Sequence, residues 1–150
     1  MPPLPMPWQA VQELIDAGGI TPSPGHVGGL SLAHAVYDFT VDGGLVGPIV
    51  PAETVLLPAG AILLGGVVFV ETAVVGTVST LAVGTTAGSS ASALLAATAE
   101  ATLGTDDIEP LVPTNAVPVR LTAAGSINVT VGTAALTAGK VHIYALFIAG

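Results

Sequence analysis

The sequence predicts an all-β fold: a β-sandwich or jelly roll of about seven to eight short antiparallel strands. Two observations predict it. From Ser31 onward, short segments alternate with a period of two, as half-buried strands do. Between them stand turn signals rich in Gly, Pro and Asp, and no repeat of fixed period is visible.

Residues 1–30 depart from that pattern and read as an N-terminal arm and linker ahead of a domain over 31–150. Pro2, Pro3, Pro5 and Pro7 favour an extended, polyproline-like start. Trp8 to Ala17 fits a short helix with Trp8, Val11, Leu14 and Ile15 near one face, and Gly18-Gly19 stops it. The breaker run TPSPGHVGG follows as linker.

In the domain, Leu32 to Val41 sets Ala33, Ala35, Tyr37, Phe39 and Val41 on one strand face, with His34, Val36 and Asp38 on the other. VDGG at 41–44 is a turn, because Asp-Gly and Gly-Gly tolerate positive φ. Leu45 to Val50 is a short strand that Pro48 assigns to an edge or a bulge. After Pro58-Ala59-Gly60, Ala61 to Ala73 is a long strand with a bulge or bend at Gly65-Gly66. Thr77 to Val83 alternates again and ends at Gly84. The Ala-rich stretch 85–104 fits either a loop plus a strand or a helical turn, and pattern alone does not arbitrate. DDIEP at 106–110 is an exposed acidic loop. Val117 to Thr122, Ser126 to Val131 and Lys140 to Ile148 supply three more strands, with a turn at Gly125 and a connection over 133–139.

Composition narrows the function. Charged residues make up 8% of the chain against 51% apolar ones, where soluble domains carry roughly 25% charged residues. So uncharged a surface points to stable self-association. Ten acidic residues face two basic ones, Arg120 and Lys140. Phosphate recognition relies on Lys and Arg, so neither nucleic acid nor an anionic membrane is an expected partner. With no cysteine there is no disulfide framework and no thiolate metal site, which fits assembly in a bacterial cytoplasm. The most apolar stretch, Val55 to Val70, is broken by Pro58, Gly60, Gly65 and Gly66, and it is shorter than the roughly 20 residues of a spanning helix. The N-terminal MPPLPMPWQAVQEL lacks the basic and apolar regions of a secretory signal.

No constellation for chemistry emerges. His26 falls in the linker, and His34 and His142 fall in separate strands without metal-ligand spacing. Asp38 and Asp42 lack the density of oxygen ligands that calcium requires. GSSAS at 88–92 is not a nucleophile elbow, and no phosphate-binding glycine motif is present. Glu53 and Glu71 give no reason to be paired across a cleft, and Asp106, Asp107 and Glu109 read as a solvated loop. The expectation is a protein that is not an enzyme and carries no cofactor or metal.

YDFTVDGGLVGPI at 37–49, LLPAGAILLGGVVFVETAVV at 56–75, STLAVG at 79–84 and LTAGKVHIYALFI at 136–148 together resemble small virion proteins of tailed bacteriophages, of the capsid-decoration type. The resemblance covers about residues 32–150. It implies a β-sandwich that binds the major capsid protein on the outer capsid surface as an oligomer, with a homotrimer expected, and stabilises the head. The contact residues expected are Trp8, Val11, Leu14 and Ile15 of the arm, and Leu45, Val46 and Ile49 of the edge segment. The alternative is a tail or head-fibre module that binds a receptor or glycan. Sparse aromatics (4%) speak against it, as does the lack of a cleft motif against a hydrolase on the same scaffold.

Overall fold

The computed structural model describes residues 30–87, 93–112 and 118–149. The expected arm helix, with Trp8, Val11, Leu14 and Ile15, lies outside the described residues, as do His26, the GSSAS segment and the start of the Val117 strand. The described chain forms ten strands: β1 (Leu30–Asp38), β2 (Gly47–Ile49), β3 (Leu56–Leu57), β4 (Ile62–Gly76), β5 (Thr80–Thr85), β6 (Leu95–Ala99), β7 (Ile108–Leu111), β8 (Val119–Arg120), β9 (Gly125–Gly132) and β10 (Leu136–Ile148). A single helical turn, α1 (Phe39–Asp42), follows β1, and a 3-10 turn spans Glu100–Thr102.

The strands make two antiparallel sheets and an all-β sandwich, as expected. The first runs β1-β10-β4, with β7 and β8 in line along the far edge of β4. The second runs β9-β5-β6, with β2 and β3 in line along the free edge of β9. Alternate residues of both sheets point inward to one core. Ala33, Ala35 and Tyr37 of β1 meet Val68, Val70, Val141 and Ile143 of the same sheet and Leu81, Val83, Ile127 and Val129 of the other.

The long β4 strand turns at the glycine pair. Between Leu146 and Phe147 of β10 the partner on β4 steps from Gly65 to Leu63, so Leu64 is an extra residue and the strand bulges there. Gly65 and Gly66 have φ of 146° and 151°, a region that side chains avoid. A Cβ on Gly66 would run into the Tyr144 carbonyl of β10. The bulge expected from sequence is therefore a place where two backbones approach too closely for any side chain.

Several boundaries differ from the sequence expectation. β1 ends at Asp38, and Phe39–Asp42 is helical, because the Asp38 carboxylate caps the turn by accepting from Thr40 N at 2.9 Å. Asp42 holds it from the other end, accepting from Asp38 N and Ala52 N at 2.9 and 2.8 Å. Val41, expected on the same strand face as Ala33, Ala35 and Tyr37, leaves that face and is exposed in consequence. Thr77 to Ser79 is not strand but the turn from β4 to β5. Val78 sits there at φ 61°, and the Glu100 carboxylate accepts from Val78 N and Ser79 N. Over 85–104 the described part is a strand followed by a 3-10 turn. The acidic segment at 106–110 is only partly loop, since Ile108–Leu111 pairs with Gly66–Phe69 of β4. Leu56–Leu57 adds a short strand, and β10 starts at Leu136, inside the expected connection.

Candidate interaction surface

The outer face of the first sheet carries several exposed apolar side chains. Cross-strand partners share a face, so the register defines its rows. Leu30, Ile148 and Ile62 form one row, and Leu32 with Leu146 forms the next. His34, Tyr144, Val67 and Pro110 form the third, and Val36, His142, Phe69 and Ile108 the fourth. Leu32 is 58% exposed and Ile108 65%, and Leu30, Leu64, Val67 and Leu146 are also exposed. A contiguous apolar face on a β-sandwich is what self-association or partner docking leaves uncovered in a single chain.

One polar chain crosses this face. His142 Nε2 meets Glu71 Oε2 at 2.5 Å, and His142 Nδ1 meets His34 Nε2 at 3.2 Å. A carboxylate only accepts, so the neutral His142 ring carries its proton on Nε2 and accepts at Nδ1 from His34 Nε2–H. The order is Glu71, His142, His34. Lys140 adds an ion pair to the other Glu71 oxygen at 3.3 Å. These bonds, His142 first and Lys140 second, hold the Glu71 carboxyl below the usual carboxylate range. The His34 ring lies flat against Tyr144, centroids 4.6 Å apart. The bulge between Lys140 and Val141 swings Glu71 out toward them. Chemically this is a carboxylate–imidazole–imidazole chain on an open sheet face. Among the described residues no group of three or more ligating side chains is placed to hold a metal ion.

The expected edge residues fall in a second exposed region, the segment 41–56. Leu45 is 80% exposed, and Val46 is also exposed, as are Val41, Val50 and Leu56. Ile49 lies among the residues packed against the core. β2, which carries Pro48 and Ile49, occupies a sheet edge, where proline is tolerated. A depression of about 380 Å³ beside α1 is lined by Asp38, Thr40, Thr72, Thr137 and Lys140. Its charged groups are already engaged, Asp38 by Thr40 and Lys140 by Glu71.

Sequence reasoning missed the meeting of His34, His142 and Glu71, which are contributed by three strands as far as 108 positions apart. The alternation Lys140, His142, Tyr144, Leu146 signals a mixed polar and apolar face, but not which strand lies beside it.

No family model matches the sequence, and no curated protein does. Solved phage capsids contain chains of similar fold. A chain of the cyanophage Pam1 capsid asymmetric unit matches with TM-score 0.60 and 19% identity, over 87% of this chain and 92% of that one. A chain of the Ralstonia phage GP4 capsid matches with TM-score 0.55 and 18% identity, over 87% and 91%. A chain of the acidic stable capsid of Helicobacter pylori bacteriophage KHP30 matches with TM-score 0.54 and 16% identity, over 79% and 86%. Identities this low show a shared fold.

Proposed function

We propose that this protein is a structural, non-enzymatic component of a tailed-phage virion, a decoration protein that joins the outer capsid surface as an oligomer and stabilises the head. The observation that carries the reading is the fold likeness to chains of phage capsids, which takes in 86–92% of those chains. The matched chains are thus of about this size, and the likeness covers most of each chain. The exposed apolar surfaces supply the means. One is the outer sheet face around Leu32 and Val67, and the other is the 41–56 segment with Leu45 and Val46.

The proposed division of labour gives the sheet face to self-association, as a homotrimer, and the Leu45–Val46 segment to the major capsid protein. Linked copies then hold a capsid junction by several weak contacts at once, and such a clamp dissociates far more slowly than one contact. A net charge of -8 favours a place away from packaged polyanionic DNA. The test compares capsids assembled with and without the protein under heat or indentation. Decorated capsids are expected to withstand higher temperature or force. Equal robustness with the protein demonstrably bound would refute the stabilising role, and failure to bind capsids would refute the reading altogether.

A further inference from the structure

We infer that the Glu71–His142–His34 chain is an acid switch on the edge strand β1: it takes up one proton with both of its hydrogen bonds kept, and a second proton opens the contact between the two rings. The inference concerns the single chain and holds whatever the place of the protein in a virion. It begins with the alignment of the rings. The His34 and His142 planes are 6° apart, their centroids are 5.5 Å apart, and the facing nitrogens, His34 Nε2 and His142 Nδ1, are 3.2 Å apart. At that centroid distance, nitrogens so close must lie on the line between the two ring centres. The rings therefore meet edge to edge in one plane, and the N–H of one points straight at the lone pair of the other. A metal ion at about 2.0–2.1 Å from both nitrogens would sit off both lone-pair axes, so the contact suits a proton.

The proton count follows from that alignment. With both rings neutral, His142 Nε2–H donates to Glu71 and His34 Nε2–H donates to His142 Nδ1. His34 Nδ1 is the ring nitrogen that neither donates nor accepts in this chain of bonds. A proton bound there lets the His34 Nε2 proton pass to His142 Nδ1. The charge then sits on His142, between the Glu71 carboxylate and a neutral His34, and both bonds remain with the inner one reversed. A second proton gives each ring two N–H groups. His34 Nε2–H and His142 Nδ1–H then confront each other on one line with no lone pair between them, and the like charges repel.

The placement gives the switch its effect. Among the described residues, β1 is a sheet edge paired along its length with β10, apart from one bridge from Val36 to Glu53. The His34–His142 bond is a side-chain tie across that pairing, and Glu71 extends it to β4. Glu71 is also paired with Lys140. Its carboxyl, held below the ordinary range by His142 first and Lys140 second, keeps its charge into acid. Asp38 stands opposite Lys140 and is bonded to Thr40, and Tyr144 lies flat on His34. From β7, Ile108 and Pro110 enter these rows, whereas Glu109 aligns with Val68 of the opposite face.

Nuclear magnetic resonance on the full-length chain, with isotope-labelled histidine nitrogens, tests the switch as pH is lowered from neutrality. Ring-nitrogen shifts count the bound protons, and a scalar coupling between His34 Nε2 and His142 Nδ1 reports the bond between the rings. The coupling is expected at neutral pH, should survive the first proton and should vanish with the second. Val36 N turns away from β10 to Glu53, so Ala33 and Ala35 direct their amides to β10. Their protection against hydrogen exchange should fall about fivefold with the second proton, the equivalent of one hydrogen bond of about 1 kcal/mol. Val129 and Val131 of the other sheet should keep theirs. In His34→Gln, whose side-chain carbonyl can accept from a charged His142, that fall should be absent. Any of four results would overturn the switch: no coupling in the folded chain at neutral pH, loss of coupling with the first proton, coupling that survives the second, or the same fall in protection at Val129 and Val131 or in His34→Gln.

Discussion

At the scale of single residues, two ionisable groups report on how the fold is held. Tyr37 is fully buried and donates its hydroxyl to the Gly43 carbonyl at 2.7 Å. Burial first, then the charges of Asp42 and Asp38, push its phenol up to about 12. The folded state therefore keeps Tyr37 neutral after an unfolded chain would ionise it, near pH 10. Stability from this residue is complete below pH 10 and is lost as pH rises toward 12. Tyr37→Phe should cost about 1 kcal/mol at neutral pH through the lost hydrogen bond. It should also flatten the alkaline decline, as read by chemical denaturation at a series of pH values. Glu71 has the opposite sign. Its depressed carboxyl contributes stability at neutral pH that is lost as acid carries the pH through its folded value. His142→Ala should move the Glu71 midpoint upward in an NMR titration, while Lys140 keeps it short of the ordinary value. An unchanged midpoint would mean that the His142 bond is not formed. The sequence sets Tyr37 on one strand face with Ala33 and Ala35, and the structure shows that face to be the buried one. It does not show the Glu71–His142–His34 chain, because strand alternation fixes which face a residue takes and not which strand lies beside it.

At the scale of elements, local patterning was most reliable where one principle acts alone. The inward alternation of β1, the edge position of the Pro48 strand and the bulge at Gly65-Gly66 all follow from period, proline and glycine chemistry. Misreadings occurred where a distant carboxylate or a side-chain cap overrides that pattern. Thr77 to Ser79 alternates like a strand, yet Glu100 clasps two of its amides and makes a turn. Phe39 to Val41 alternates likewise, yet Asp38 and Asp42 wind it into α1. The 106–110 segment looked acidic and solvated, but Ile108 and Pro110 align with Phe69 and Val67 of β4. Gly66→Ala should destabilise by about 3 kcal/mol or more, since it combines a disfavoured φ with a steric collision against β10. Ile143→Ala, at the centre of the core, should cost about 2–5 kcal/mol. Denaturant unfolding checks both, and a Gly66→Ala variant as stable as the parent would rule out the close β4–β10 approach.

At the scale of the whole molecule, the low charge and the open sheet face belong together. A chain with 8% charged residues is soluble as a lone particle only at the expense of exposed apolar area, and that area is concentrated on the outer sheet face and the 41–56 segment. Composition alone leads to the expectation of self-association. Locating the surfaces required the strand order, because Leu32, Val67 and Ile108 come from three separated segments. On the proposed role, Leu45→Asp with Val46→Asp should weaken capsid binding about tenfold or more while leaving the fold intact, as followed by co-sedimentation with capsids and circular dichroism. The most direct measurement is electron cryomicroscopy of the parent phage particle at a resolution that identifies side chains. The density of this sandwich is expected on the outside of the shell, in symmetric clusters of copies seated over junctions between major capsid subunits. Finding it on the inner surface, in the tail alone, or nowhere in the particle would contradict the proposed role.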